Sequence, residues 1–234
     1  MEKPLGHKAY GHIPHVPGSR VGPGDKHCEY GQYKIVTEKP RDKNDLIIVQ
    51  EKLDGSNCSV ARINNNIIAL GRAGYHAETS PYEQHCYFAK WVYKQTDRFL
   101  SLLDDGERLV GEWLLQACGT RYKLAHEPFV AFDLMRGHNR SIYHDFLLRV
   151  LPYGFTIPRL IHIGQPFKLE KAKYAIKRSG HGAIDEVEGV VYRCERENKV
   201  DFLCKWVRSD KIDGKYLPEN NNNKIVWNID PNLI

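Results

Sequence analysis

Short apolar and β-branched runs, separated by polar or glycine-containing links, dominate the pattern along this chain. Strand-like runs fall at 33–37, 46–52, 57–63 and 66–70. Asn64-Asn65-Asn66 between the last two reads as a hairpin turn. The period then lengthens. Over 81–103, Tyr87, Phe88, Trp91, Val92, Phe99, Leu102 and Leu103 share one helical stripe, which marks a core-facing helix. Strand runs return at 109–115 and 129–134, a helix is expected at 141–151 ahead of Pro152, and a basic helix at 168–178. Strands at 187–193 and 200–207 close the pattern, and Asn220–Asn223 forms a polar loop. Near the start, residues 11–25 carry four glycines and three prolines and read as an ordered turn segment. Mixed elements with hairpin-like links predict an α+β fold built on antiparallel sheets.

Length and composition add limits. At 234 residues one domain is expected over 1–234, with a core at about 33–210 and a short tail at 211–234. No apolar run approaches a membrane span, and the N-terminus lacks the apolar core of a secretory signal. The expected location is cytoplasmic, or nuclear in a eukaryote, with no membrane partner. The six cysteines form no C-x-x-C pair, which points to reduced thiols rather than a disulfide framework or zinc site. A net charge of +5 permits a polyanionic partner without demanding one. Lysine and arginine recur along the whole chain, so a basic groove would be assembled by folding. No G-x-x-x-x-G-K-[ST] loop is present, so a nucleotide would be held in another way.

The candidate chemistry begins at Glu51-Lys52-Leu53-Asp54-Gly55-Ser56-Asn57, directly after the apolar run Leu46–Val49. A lysine, an acid and a glycine at a strand end suit a presented lysine nucleophile. Alone, Lys-x-Asp-Gly more often marks an exposed turn. Five further segments follow it in order: Gly71-Arg72-Ala73-Gly74, Val110-Gly111-Glu112-Trp113, Val130-Ala131-Phe132-Asp133-Leu134, Val187-Glu188-Gly189-Val190-Val191-Tyr192-Arg193 and Leu203-Cys204-Lys205-Trp206-Val207-Arg208. Together these resemble motifs I, Ia, III, IIIa, IV and V of the covalent nucleotidyltransferases, the superfamily of ATP-dependent ligases and mRNA-capping guanylyltransferases. Asn57 and Arg72, five and twenty residues past Lys52, make the chain most similar to the RNA ligase family, in particular the phage-type double-strand RNA ligases. Pro14-His15-Val16-Pro17-Gly18-Ser19-Arg20 and Lys205-Trp206-Val207-Arg208 resemble its stand-alone members. The resemblance spans about 12–210.

The resemblance implies an adenylation domain of antiparallel β-sheets flanked by helices. It implies an RNA ligase that uses ATP and Mg²⁺ or Mn²⁺, carries AMP covalently on Lys52, passes it to an RNA 5′-phosphate, and seals that end to a 3′-hydroxyl. Lys52, Glu112, Glu188 and Lys205 are the implied catalytic residues. The nucleotide pocket is expected from Glu51, Lys52, Leu53, Asp54, Asn57, Arg72, Glu112, Phe132, Glu188 and Lys205, with the metal at Glu188 and Glu112. Within it, Glu112 is placed near the ribose, Phe132 on the adenine, Arg72 on the nucleotide or the RNA 5′-phosphate, and Asn57 on the 5′-phosphate end. Asp54 would brace the loop after Lys52. Lys205 and the cation would favour the neutral amine of Lys52. Read without the family, Phe132 is a core residue, and Arg72 and Asn57 are ordinary polar residues beside turns. Arg20, in the turn segment, is either a structural residue or a further phosphate contact.

Many relatives carry Lys-x-Lys in motif V, whereas here Leu203 and Val207 stand two positions from Lys205. One phosphate contact is then either missing or supplied by Arg208 or Lys211. Only 29 residues follow Lys205, too few for the oligonucleotide-binding barrel of DNA ligases and capping enzymes, so no such C-terminal domain is expected. The alternatives are a degenerate nucleotidyltransferase fold that binds RNA ends, a DNA ligase, and a GTP-dependent capping relative. RNA ends, as nicked duplex or single strand, are the expected partner, with an RNA end-processing enzyme as a second candidate, and the protein is expected to be a monomer.

Overall fold

A computed structural model describes residues 2–234. In chain order it contains α1 (Tyr30–Thr37), β1 (Asp45–Lys52), β2 (Ser56–Ile63), β3 (Asn66–Gly71), α2 (Glu83–Tyr93), α3 (Thr96–Leu102), β4 (Glu107–Trp113), β5 (Phe129–Arg136), β6 (Asn139–Arg140), α4 (Tyr143–Val150), β7 (Leu160–Gly164), α5 (Leu169–Ala175), β8 (Gly189–Arg196) and β9 (Lys199–Val207). The strands form two antiparallel sheets, ordered β7-β1-β8-β9 and β3-β2-β4-β5-β6. The expected α+β architecture of antiparallel sheets flanked by helices is the one observed. Among the described residues no helix is long and apolar enough to cross a membrane.

The two hairpin turns follow from local chemistry. Asn64 and Asn65 between β2 and β3, and Glu197 and Asn198 between β8 and β9, all take positive φ (50°, 62°, 50° and 59°). Two-residue hairpin loops need that left-handed backbone, and asparagine tolerates it best after glycine.

Two cores flank the sheets. Phe88, Trp91, Phe99, Trp113, Phe129 and Phe146 pack the helical face of the five-stranded sheet. Val36, Leu169 and Ala172 from α1 and α5 cover Ile47, Val49, Val190 and Tyr192 of the four-stranded sheet. Ile48, on the opposite face of β1, joins the first core, so β1 is buried on both sides. The space left between the sheets is the cleft described below. Residues 226–228 pair with the segment after β4, through Ala117 N to Val226 O at 2.9 Å and Asn228 N to Leu115 O at 2.8 Å.

Several predicted boundaries need correction. Residues 33–37 are the end of helix α1, not a strand. Tyr33, Val36 and Thr37 share a helical face toward the four-stranded sheet, and the Glu29 amide donates to Gln32 Oε1 at 3.1 Å, closing the first turn. The helix expected over 81–103 breaks into α2 and α3 around Lys94-Gln95. The strands expected at 109–115 and 187–193 begin and end elsewhere, at Glu107–Trp113 and Gly189–Arg196, which leaves Glu188 just before its strand. The basic helix is confined to Leu169–Ala175. Strand β7 was not predicted; it pairs only with β1 and is half-exposed, so it lacks a strong apolar signature.

Candidate active site

Three strand registers assemble the centre. Lys52, last in β1, pairs with Gly189 at the start of β8. Asn57 on β2 pairs with Glu112 on β4, and Val191 on β8 pairs with Lys205 on β9. The first register sets the Lys52 ammonium against the carboxylate of Glu188, with which it forms a salt bridge, and Lys52 Nζ also donates to Leu53 O at 3.3 Å. Two glycines make the geometry possible. A Cβ on Gly55 would lie 2.5 Å from Trp113 O, and one on Gly189 would collide with Trp206 O, so only glycine lets the chain cross there.

Glu112 faces this pair from the other sheet. Its carboxylate accepts from Gly55 N at 3.0 Å. Burial pushes its carboxyl up to about 7 against the pull of the Lys52 charge. Asp54 is tied down on three sides. Its amide donates to Tyr122 Oη at 3.0 Å, its Oδ2 accepts from Thr120 Oγ1 at 3.3 Å, and its Oδ1 lies 3.3 Å from Lys211 Nζ. Burial, with Glu188 adding to it, pushes Asp54 up to about 6. Burial alone would also raise Glu188, but Lys52 and Lys211 together hold its carboxyl below its ordinary value.

Lys205 reaches the same space from β9, where burial and then the Lys52 charge push it down. The Pro/Gly-rich segment pins its backbone: Lys205 N donates to Pro14 O and Val16 N donates to Lys205 O, both at 2.9 Å. Asp25 Oδ1 lies 3.9 Å from its ammonium. That segment therefore braces β9. Arg20 pairs with Asp213 and does not line the cleft, so its guanidinium is placed for structure rather than for phosphate.

The cleft between the sheets encloses about 700 Å³. Every one of the expected pocket residues lines it: Glu51, Lys52, Leu53, Asp54, Asn57, Arg72, Glu112, Phe132, Glu188 and Lys205. Phe132 is half-buried and meets Tyr10 edge-to-face at 5.3 Å, so it is not wholly core. Arg72 is exposed at the rim and donates to Gly11 O at 3.2 Å. The Glu51 carboxylate is already held by Ser179 Oγ and Gly180 N, both at 2.7 Å, which makes it a buried anchor of the wall. Asn57 Oδ1 is buried with no hydrogen-bond partner.

Of the two substitutes considered for the second motif V lysine, Lys211 lines the cleft. Arg208 does not; it pairs with Glu186 and Asp210 at 3.1 and 2.7 Å. Sequence reasoning assigned no role to Tyr10, Thr120, Tyr122 or the Asp133–Arg193 pair. Tyr122 and Thr120 lie in a loop with no periodic signal, and Asp133 and Arg193 meet only when β5 and β8 face each other.

A family model described as RNA ligase matches residues 45–207, well over half of the chain. No curated protein matches it. Among solved structures, an archaeal ATP-dependent RNA ligase is similar at 16% identity and a TM-score of 0.53, over 85% of this chain and 48% of that one. Naegleria gruberi RNA ligase with pyrophosphate is similar at 14% identity and a TM-score of 0.53, over 90% and 62%. A putative ATP-dependent DNA ligase from Aquifex aeolicus is similar at 17% identity and a TM-score of 0.50, over 85% and 49%. The chain thus spans about half to two thirds of the length of these solved relatives, and at such identities they speak to the fold alone. That fold is the adenylation domain of RNA ligases. With the family model covering every motif from Lys52 to Lys205, the chain belongs to the RNA ligase family.

Proposed function

We propose that this chain is an ATP-dependent RNA ligase that works through a lysyl-AMP on Lys52 and an adenylated RNA 5′ end. The observation that carries the reading is the placement of the Lys52 ammonium on Glu188, inside a cleft walled by all six motifs. In the first step Lys52 Nζ gives up a proton to solvent, and the neutral amine attacks the α-phosphorus of ATP. An N–P bond forms and the bond to pyrophosphate breaks. AMP then moves to a 5′-phosphate, and a 3′-hydroxyl displaces it. Each step is an in-line displacement at phosphorus, in which positioning and charge neutralisation do most of the work.

The chain's own residues divide that work. Lys205 supplies positive charge next to Lys52, where it favours the neutral amine and meets developing negative charge on phosphate. Phe132 offers a ring face at the cleft wall for the base. Arg72, with its planar fork, suits a phosphate at the rim. Asn57 orients the 5′-phosphate end.

The donor set fits a hard divalent cation. Glu188 is buried, Glu112 is half-buried, and both lie close to Lys52. Among the described residues no three His, Cys, Asp or Glu side chains form a ready-made cage. Mg²⁺ or Mn²⁺ is commonly held by one or two carboxylates with substrate phosphates completing the shell. Bound there, the cation would neutralise charge on the triphosphate. Naegleria gruberi RNA ligase has been solved with AMP and Mn.

The test is incubation with α-labelled ATP and Mg²⁺ or Mn²⁺. A covalent adduct is expected on the wild-type chain and not on Lys52→Ala. The labelled protein, offered nicked duplexes and single strands of RNA and DNA, is expected to prefer RNA on the 3′-hydroxyl side. A wild-type chain that takes up no label with either metal across neutral and alkaline pH would sink the reading, leaving a non-catalytic RNA-end binder.

A further inference from the structure

Glu188 is shared between two lysines from different parts of the fold. Its Oε2 takes Lys52, from the end of β1, and its Oε1 takes Lys211, from the loop after β9. Lys211 is buried. Besides Glu188, its Nζ lies 3.3 Å from Asp54 Oδ1 and 3.4 Å from Asp213 Oδ1. An ammonium has three donors. All three face carboxylates, so Lys211 has none left for a phosphate oxygen. This separates it from Lys205, whose nearest carboxylate is 3.9 Å away.

The arrangement matters because Lys52 cannot both stay on Glu188 and reach phosphorus. Withdrawing the only cation from a buried carboxylate leaves an uncompensated charge, the costly way to break such a pair. Here a second cation remains. Resting on the ligase reading above, we propose that Lys211 is a positioning residue for adenylation: it keeps Glu188 and Asp54 neutralised while Lys52 leaves to attack the α-phosphorus. It also holds Asp54, two residues from the nucleophile, against the loop. Lys211 is then a resident counter-charge for the nucleophile's departure rather than a replacement phosphate ligand.

The steps of ligation separate this role from a structural one. Adenylation requires Lys52 to leave Glu188, whereas sealing of an RNA nick that is already adenylated lets Lys52 stay. The experiment compares single-turnover labelling from ATP with sealing of pre-adenylated nicked RNA, in the wild type, Lys211→Met and Lys211→Arg. Lys211→Met is expected to slow labelling about 30-fold at saturating ATP, with half-saturating ATP and the sealing rate each within about 3-fold of wild type. Lys211→Arg, which keeps the charge, is expected to recover most of the loss. Equal losses in both steps would overturn the proposal in favour of a general structural role. A raised ATP requirement at unchanged rate would overturn it in favour of direct nucleotide contact, and no change at all would also overturn it. Should Lys211→Met fail to fold, Asp213→Asn removes only the exposed partner. A loss of a few-fold confined to labelling then supports the role, and a loss shared by both steps, or none, refutes it. A wild type that seals pre-adenylated RNA but takes no label from ATP refutes the lysyl-AMP reading itself, a different failure from any of these.

Discussion

Where β5 faces β8, Asp133 accepts from Tyr10 Oη and Arg140 Nε at 2.9 Å and from Arg193 Nη1 at 2.8 Å. Arg193 also donates to Glu195 Oε1 at 2.6 Å and to Ser141 O, and Glu195 Oε1 also accepts Tyr143 N at 2.6 Å. A few residues away in the same cleft, around Lys52, the accounts are left open. Glu112 receives one backbone amide and has its carboxyl pushed up to about 7, and Asn57 Oδ1 has no partner. Both clusters line the cleft and both mix acids with bases. The first is saturated and ties one sheet to the other. The second leaves charge and hydrogen-bonding capacity for something that arrives. A satisfied buried network fixes structure, and an unsatisfied one is tolerated where a charged ligand completes it.

The largest expected effect comes from breaking the saturated cluster. Arg193→Met takes the guanidinium away from buried Glu195 and leaves Asp133 with Arg140 alone, and removal of one partner from a buried ion pair typically costs about 3–5 kcal/mol. Lys52→Ala also removes a cation from a buried acid, but Glu188 keeps Lys211, so a loss of about 1 kcal/mol is expected. Urea unfolding of both variants measures the contrast. Equal destabilisation would mean that the two clusters are not different in kind.

The next effect is a pH dependence confined to the open cluster. The Glu112 carboxyl is raised from an ordinary 4.5 to about 7. Between those values the native chain holds a proton that the unfolded chain has released, so this group makes stability fall as pH rises through the window. The full shift is worth about 3 kcal/mol at most. Glu112→Gln removes it. In metal-free and nucleotide-free protein, the stability of Glu112→Gln relative to wild type should climb by about 2–3 kcal/mol from pH 4.5 to 7.5. A difference that stays flat over that range would show that Glu112 titrates normally in the folded state.

The same contrast explains what could be read before the structure. Residues 46–52, 57–63 and 66–70 were legible as strands because their apolar runs end at turn residues with fixed backbone needs, such as Asn64 and Asn65. Residues 33–37 were misread because a five-residue window containing Tyr33, Ile35 and Val36 fits either period, and the tie is broken by packing on the four-stranded sheet. The residues lining the open cluster were legible because they recur in short motifs at definite spacing. The saturated cluster was not, since Asp133 and Arg193 are 60 positions apart and become partners only across the two sheets. Lys211 is intermediate: its charge and nearness to Lys205 were visible, but its three acidic partners come from separate segments.

The smallest expected effect on stability is also a sharp test of open against saturated sites, because it compares two asparagines. Asn228 uses both ends of its amide, accepting from Tyr122 N and donating to Leu114 O, each at 2.8 Å. Its replacement by alanine leaves buried backbone groups unpaired and should cost about 1–2 kcal/mol. Asn57 carries a buried Oδ1 that bonds to nothing. Asn57→Ala therefore gives up no hydrogen bond at that atom, relieves an unsatisfied polar group, and should change stability by less than about 0.5 kcal/mol. Its cost should fall on function instead. With Asn57 orienting the 5′-phosphate end, label on Lys52 should form at near the wild-type rate, while transfer of AMP to RNA drops by about 100-fold. A variant that is markedly less stable, or one that transfers AMP normally, would place Asn57 in the scaffold, and the open cluster would then begin at Glu112.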